Sequence, residues 1–140
     1  IKALSGTPIM MYEDGMGIRD FVNVHDVVDA YVLVLKDPRA NYEIFNVGIG
    51  QTISLMDFAK LVFDITNSTA TPTATGEFRI NSPRSSKMNI NKLKKLGWKP
   101  KRTLEDNIKE YVTWIKGYPK AIVAWRQTYE KMQKSGILRK

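Results

Sequence analysis

The segment YEDGMGIRDFVNVHDVVDAYVLVL places one cation, Arg19, between a glycine-containing turn and a short apolar run. A guanidinium offers several fixed donors to the oxygens of an anion and stays charged when it is partly buried. The chain has 140 residues and a net charge of +8, which predicts an anionic partner. The excess charge lies in RSSKMNINKLKKLGWKPKR and after Lys116, so the question is which basic residues bind a ligand.

Groups that could catalyse a reaction are scarce. His25, the single histidine, lies beside the start of a predicted helix without a serine or cysteine partner pattern, so we expect a structural or surface role. The lack of cysteine excludes disulfides, zinc-thiolate sites and thiol nucleophiles. Gly48 and Gly50 form Gly-x-Gly without a third glycine, and no tyrosine precedes a lysine by four residues. We therefore expect no catalysis by this chain alone.

The elements that must position these residues alternate between strands and helices. The patterns predict strands at PIMMY, RDFVNV and YEIFNVG, and a Thr-rich loop at TNSTATPTATG. Asp26 is predicted to cap one helix, Ser54 and Asp57 to cap a second, and Thr103 and Asp106 a later one. Gly97 is predicted to end the short helix NKLKKLG. The chain is therefore expected to be α/β and helix-rich, with four to five helices and small, short-stranded sheets.

The basic tail is predicted to form a further helix. Apolar residues recur there at three- and four-residue steps, at Ile122, Trp125, Tyr129 and Met132. Trp98 is expected to be mostly buried at the turn that follows Gly97. The predicted sheet would be a poor core by itself, so much of the domain is expected to pack on another unit.

Five segments taken in order resemble a known family: PIMMY, EDGMGIRDFVNVHDVV, EIFNVGIGQTISLMDFAKLV, GEFR and NINKLKKLGWKPKRTLEDNIKEYVTWI. They are similar to the carboxyl-terminal, substrate-binding part of the NAD-dependent epimerase/dehydratase family. These are extended short-chain dehydrogenase/reductases, such as UDP-glucose 4-epimerase and dTDP-glucose 4,6-dehydratase. The resemblance covers roughly residues 5–116 and implies a substrate lobe whose Rossmann domain, with NAD and the catalytic Tyr-x-x-x-Lys, lies upstream.

The resemblance also implies site residues. Arg19 matches an arginine that contacts the pyrophosphate of the substrate, with an ion pair to a carboxylate as the alternative. Arg79 matches a second phosphate-binding arginine. The remaining matches lie around the nucleoside, with plain core packing as the alternative for several of them: Met10, Tyr12, Phe21, Leu55 and Ser82. Ser82 stands where some members have an acidic residue that contacts the ribose, and Arg84 matches a position that is basic in some members.

The expected organisation is a nucleotide-sugar-binding lobe at 1–116 and a basic helical tail at 117–140. The parent protein is expected to be a cytoplasmic, NAD-dependent NDP-sugar epimerase, with 4-epimerase preferred over 4,6-dehydratase and homodimerisation possible. Its partners would be a nucleotide-diphosphate sugar and an amino-terminal Rossmann domain. A nucleic-acid-binding or structural module is the alternative of another class, because it would explain the net charge and the basic tail.

Overall fold

The computed structural model describes residues 1–139, and for seven residues of the last helix and strand it describes the backbone only. The helices are α1 (Val24–Lys36), α2 (Leu55–Thr66), α3 (Asn91–Lys95), α4 (Leu104–Ile115) and α5 (Ala121–Lys134). The strands are β1 (Met10–Met11), β2 (Ile18–Arg19), β3 (Ile53–Ser54), β4 (Thr73–Ala74), β5 (Phe78–Arg79) and β6 (Leu138–Arg139). The chain is thus α/β and helix-rich, as predicted.

The strands form three two-stranded sheets. β1 pairs with β4 in parallel, while β2 pairs with β3 and β5 pairs with β6 in antiparallel fashion. The register pairs Arg19 with Ile53 and Arg79 with Leu138. Each arginine predicted to bind phosphate therefore lies on a strand whose backbone is held by a second segment.

Local sequence explains where the helices begin and end. The Ser54 hydroxyl accepts a hydrogen bond from the Asp57 N–H at 3.0 Å. Thr103 and Asp106 form a full capping box, with both reciprocal bonds present. Gly97 has a φ of +99°, a left-handed conformation that favours glycine, and it follows α3 as predicted.

The packing has two centres. One is a buried cluster beneath α1, formed by Ala30, Ile90, Leu93 and Trp98. The other lies where α2 packs on α4 and on the first 3₁₀ turn, Ala3–Ser5. Trp98 is 6% exposed, which confirms the prediction that it is buried, and its indole N–H donates to the Asp26 carbonyl at 3.1 Å.

Asp26 is not the cap of α1, contrary to prediction. Asn23 is the N-cap, and its side chain accepts from the His25 N–H at 2.7 Å. Asp26 lies in the first turn, fully buried, where its carboxylate accepts from the Arg102 side chain at 2.7 Å and from the N–H groups of Lys101 and Arg102 at 3.2 Å. The prediction failed because a distant cation and two distant amides, invisible in the local sequence, bind this carboxylate.

Two predicted strands also differ from the structure. Residues 43–47 of YEIFNVG are not in a strand, and from RDFVNV only Arg19 lies in β2. A strand needs a neighbouring strand to receive its backbone hydrogen bonds, and the described part of the chain pairs none with residues 43–47. The Thr-rich loop contains β4, which is short and lies beside β1.

The tail forms α5, as predicted. The side chains of Ile122, Trp125 and Tyr129, on which the predicted apolar face depends, lie outside the described residues. None of the helices in residues 1–139 has the length and apolar character that spanning a bilayer requires.

Candidate functional site

A cavity of about 220 Å³ contains most of the predicted site residues. Its lining comes from the turn after β1, from β2, from the start of α2, from β5 and from the loop that follows β5. The lining residues are Tyr12, Glu13, Gly17, Arg19, Leu55, Arg79, Ser82, Pro83 and Arg84. Segments distant in sequence therefore form one small cavity lined by three arginines.

The turn after β1 is bound to the start of α2. The N–H groups of Leu55 and Met56 each donate at 2.9 Å, to the carbonyls of Gly17 and Gly15. A Cβ at Gly15 would lie 2.8 Å from the Met56 Cε, and the φ of Gly15 is +75°, so glycine is required for both space and backbone conformation. This contact fixes the position of Leu55 in the cavity.

Arg19 is held by backbone carbonyls rather than by a carboxylate. Its Nη1 donates to the carbonyls of Ile18 at 2.8 Å and Arg84 at 3.0 Å, and its Nη2 donates to that of Pro83 at 2.6 Å. These bonds use three of the five guanidinium donors, and within residues 1–139 no ion pair joins this guanidinium to a carboxylate. Arg19 is thus pre-oriented with donors left for an anion.

Asp20, the residue after Arg19, fixes a loop that does not line this cavity. Its carboxylate accepts from the N–H groups of Ile49 at 2.8 Å and Gly50 at 2.9 Å. A Cβ on Gly48 would lie 2.8 Å from Asp20 Oδ2 and 2.7 Å from Met88 Cβ. The Gly-x-Gly of the sequence therefore permits close packing around Asp20.

Tyr12 and Arg79 line the same cavity. Burial raises the pKa of the Tyr12 hydroxyl, the Arg79 guanidinium lowers it in part, and the Glu77 carboxylate raises it. An aromatic ring therefore lies beside a cation in the same cavity. A ring offers an apolar face to a planar group, while the cation offers donors to a charged one.

The larger apolar cavity of the protein offers no such chemistry. It has a volume of about 470 Å³, lies between the first 3₁₀ turn, α2 and α4, and is lined without any charged side chain. An anion placed there would be desolvated without a compensating partner. A further cavity of about 550 Å³ is lined by Arg19 with Lys101 and Arg102, but Tyr12 and Arg79 do not line it. The cavity of about 220 Å³ is the candidate site because it brings Arg19, Arg79 and Tyr12 together.

Comparison with known proteins finds similarity in sequence and in fold. The model of the NAD dependent epimerase/dehydratase family matches residues 1–48. The dTDP-L-rhamnose 4-epimerase of Burkholderia thailandensis is 38% identical over 109 residues, which are 76% of this chain and 30% of that protein. The crystal structure of UDP-glucose 4-epimerase from Thermotoga maritima, solved with UDP-glucose, superposes with a TM-score of 0.76 at 32% identity, over 83% of this chain and 37% of that one.

The chain is similar in sequence and fold to members of the NAD-dependent epimerase/dehydratase family. A second solved structure, dTDP-glucose 4,6-dehydratase from Bacillus anthracis in complex with NAD, has a TM-score of 0.70 at 25% identity over 85% of this chain. The chain spans about a third of the length of the relatives that it matches.

Two of the residues expected from the family resemblance lie outside the cavity. Phe21 lines the apolar cavity and the cavity beside Lys101 and Arg102, and it stacks on Phe58, with ring centroids 4.3 Å apart. Met10 lies in β1, is 42% exposed and pairs with Thr73. Residues two apart share a face only while a strand continues, but β1 ends at Met11 and β2 ends at Arg19, so the alternation does not carry Tyr12 to the face of Met10 or Phe21 to the face of Arg19.

Some residues that line the cavity were not predicted from the sequence, because they contribute backbone atoms or a contact across the cavity. Gly17 and Pro83 were not predicted, and Glu13 was seen only as part of a turn. A Cβ on Gly17 would lie 3.2 Å from the Arg84 carbonyl, which marks the close approach of two segments. The glycine was the one available signal, because the partner carbonyl lies 67 residues away in sequence (84 − 17).

Proposed function

We propose that this chain is the carboxyl-terminal, nucleotide-sugar-binding lobe of an NAD-dependent NDP-sugar epimerase. The observation that carries the proposal is the convergence of Tyr12, Arg19, Leu55 and Arg79 on one cavity. The four residues come from separate segments, and each has the chemistry that its part of a nucleoside diphosphate requires. Arginines suit the diphosphate, and an aromatic ring with an aliphatic side chain suits the base and ribose.

The volume of the cavity sets the part of the ligand that it would hold. Pockets that bury a whole drug-sized ligand measure about 300–1,000 Å³. The present cavity, at about 220 Å³, suits the diphosphate and the adjoining nucleoside edge, with the sugar extending outside it. The reacting sugar carbon would then lie beyond this lobe, next to a domain that carries NAD and the catalytic groups.

The exposed apolar surface supports a second domain in the parent protein. Val24, Val28, Tyr31 and Leu35 recur along one face of α1 and are 50–83% exposed. Ile44, in the unpaired segment 43–47, is 86% exposed. An apolar stripe beside unpaired β-forming backbone is a surface that a parallel sheet with a covering helix would bury. We propose the Rossmann domain of the family as its partner.

The 4-epimerase reaction is proposed ahead of 4,6-dehydration because the two 4-epimerases named above are both more identical to this chain than the 4,6-dehydratase is. Identity is 38% and 32% to the two 4-epimerases and 25% to the 4,6-dehydratase. The site itself binds the part of the substrate that both reactions share. The dehydratase therefore remains the second candidate.

The direct test is calorimetric titration of the chain with UDP and with dTDP. Arg19→Lys and Arg79→Gln should each weaken diphosphate binding by about 10- to 100-fold, the scale of hydrogen bonds to charged groups. Arg39→Gln is the matched control, because Arg39 is exposed and pairs with Asp37 far from the cavity in the fold. Uridine and thymidine should bind equally to all variants. Equal diphosphate affinity in all variants would overturn the proposal.

The same preparation tests the alternatives. The chain alone should turn over no NDP-sugar, and NAD should leave its melting temperature unchanged, because a ligand without a site gives no stabilisation by linkage. A nucleic-acid-binding module would instead bind oligonucleotides with an affinity that falls steeply as salt rises. Turnover by the isolated chain would contradict the assignment of catalysis to another domain.

A further inference from the structure

Arg84 is the third guanidinium of the cavity and the one that already has acidic partners. Its Nη1 lies 2.5 Å from Glu13 Oε2 and its Nη2 lies 2.6 Å from Asp14 Oδ2. Arg84 and Glu13 both line the cavity. The two carboxylates therefore pair the positive charge of Arg84 at the edge of the site and occupy two of its five donors.

The backbone holds both sides of this contact independently of the ion pair. Glu13 has a φ of +54°, and its N–H donates to the Glu77 carbonyl at 2.6 Å. On the other side, the Arg84 carbonyl accepts from the Ile18 N–H and from Arg19, each at 3.0 Å. The Arg84 side chain can consequently change partners while its backbone stays fixed.

We propose that Arg84 is a further anion-binding residue of this site, held in reserve by Glu13 and Asp14, which compete with the diphosphate for its guanidinium. The proposal rests on the proposed function, because it assumes a diphosphate ligand next to Arg19 and Arg79. The carboxylates thereby set the affinity of the cavity: while they hold Arg84, two guanidiniums face the ligand, and when they release it, three do.

Because the three side chains of this ion-pair cluster are partly exposed, replacing the partners of Arg84 costs little free energy. The Arg84 side chain is 53% exposed, and those of Glu13 and Asp14 are 38% and 55% exposed. Exposed ion pairs contribute little to stability because water and salt screen them. A diphosphate carries more charge than either carboxylate and is fixed by Arg19, so it can replace them as the partner of Arg84.

The experiment is a comparison of four proteins by calorimetric titration with UDP and with inorganic pyrophosphate. They are the unmodified chain, Glu13→Gln/Asp14→Asn, the same pair combined with Arg84→Gln, and a control, Asp37→Asn/Glu43→Gln. The control also removes two negative charges, but from carboxylates that pair with Arg39 and Lys92 outside the cavity. Glu13→Gln/Asp14→Asn should bind UDP about tenfold more tightly, the scale of one hydrogen bond to a charged group. The gain should vanish when Arg84→Gln is added.

Each outcome decides the matter. A gain that persists with Arg84→Gln, or that the control reproduces, would reflect overall charge and would overturn the role of Arg84. UDP binding by the unmodified chain with no gain on removing the carboxylates would overturn it while leaving the proposed function intact. Binding only after their removal would support it, with the carboxylates masking the site. No binding by any of the four proteins would overturn both proposals.

Discussion

Removing Arg102 should destabilise the fold, because it leaves a buried carboxylate without its cation. Asp26 is 0% exposed, and Arg102 Nη1 donates to it at 2.7 Å. Removing one partner of a buried pair costs about 3–5 kcal/mol. Here the Arg102 side chain is 35% exposed and two backbone N–H groups still bind the carboxylate, so we expect about 2–3 kcal/mol for Arg102→Met. Methionine keeps the apolar stem of the side chain.

Urea denaturation followed by circular dichroism measures this loss. With a slope of about 1–3 kcal/mol per molar urea, the midpoint should fall by roughly 0.7–3 M at an unchanged slope. Lys101→Met is the matched control, because Lys101 is the adjacent residue, carries the same charge and pairs with Asp29 at an exposed site. Its midpoint should stay close to that of the unmodified chain.

A second substitution tests whether the unpaired charge of Asp26 causes the loss of stability. Asp26→Asn in the Arg102→Met background removes the charge and keeps an oxygen that accepts from the backbone N–H groups of residues 101 and 102. It should recover part of the lost stability, because an uncharged amide costs less to bury than a carboxylate. Equal midpoints for Arg102→Met and Lys101→Met would refute the reasoning, as would a further loss on adding Asp26→Asn.

Three further predictions concern the elements around the site. Thr103→Ala should lower the free energy of unfolding by about 0.5–2 kcal/mol, measured by urea denaturation, because it removes the capping box of α4. Gly48→Ala should cost about 1–3 kcal/mol in the same measurement, because the new Cβ would overlap the carboxylate of Asp20. Hydrogen bonds from Asn23 and His25 lower the pKa of Glu110 below its ordinary value of 4.5. This contribution to stability is complete above pH 4.5 and is lost as the pH falls through the lowered pKa, so thermal melts of Glu110→Gln should show a smaller loss of stability on acidification.

The sequence by itself determined the features whose partners lie within a few residues. Ser54 and Thr103 cap helices because each hydroxyl binds an N–H three residues ahead, which the local pattern specifies. Gly97 ends α3 because only the local backbone conformation is involved. Tyr12, Arg19, Leu55 and Arg79 line one cavity, but they were predicted to bind substrate through similarity to a family rather than through any local rule, and that role stays a prediction.

Tertiary structure decided the features whose partners are distant. Asp26 and Asn23 are both good caps by sequence, and the buried pairing with Arg102 decided which one caps α1. Segment 43–47 has a strand-like sequence but pairs with no other strand in residues 1–139, because β-pairing requires a second strand alongside. Arg84 meets Glu13 and Asp14 about 70 residues away, an encounter that depends on how the turn after β1 folds against the loop after β5. Long-range electrostatic contacts follow from the completed fold, and a local sequence pattern contains no information about them.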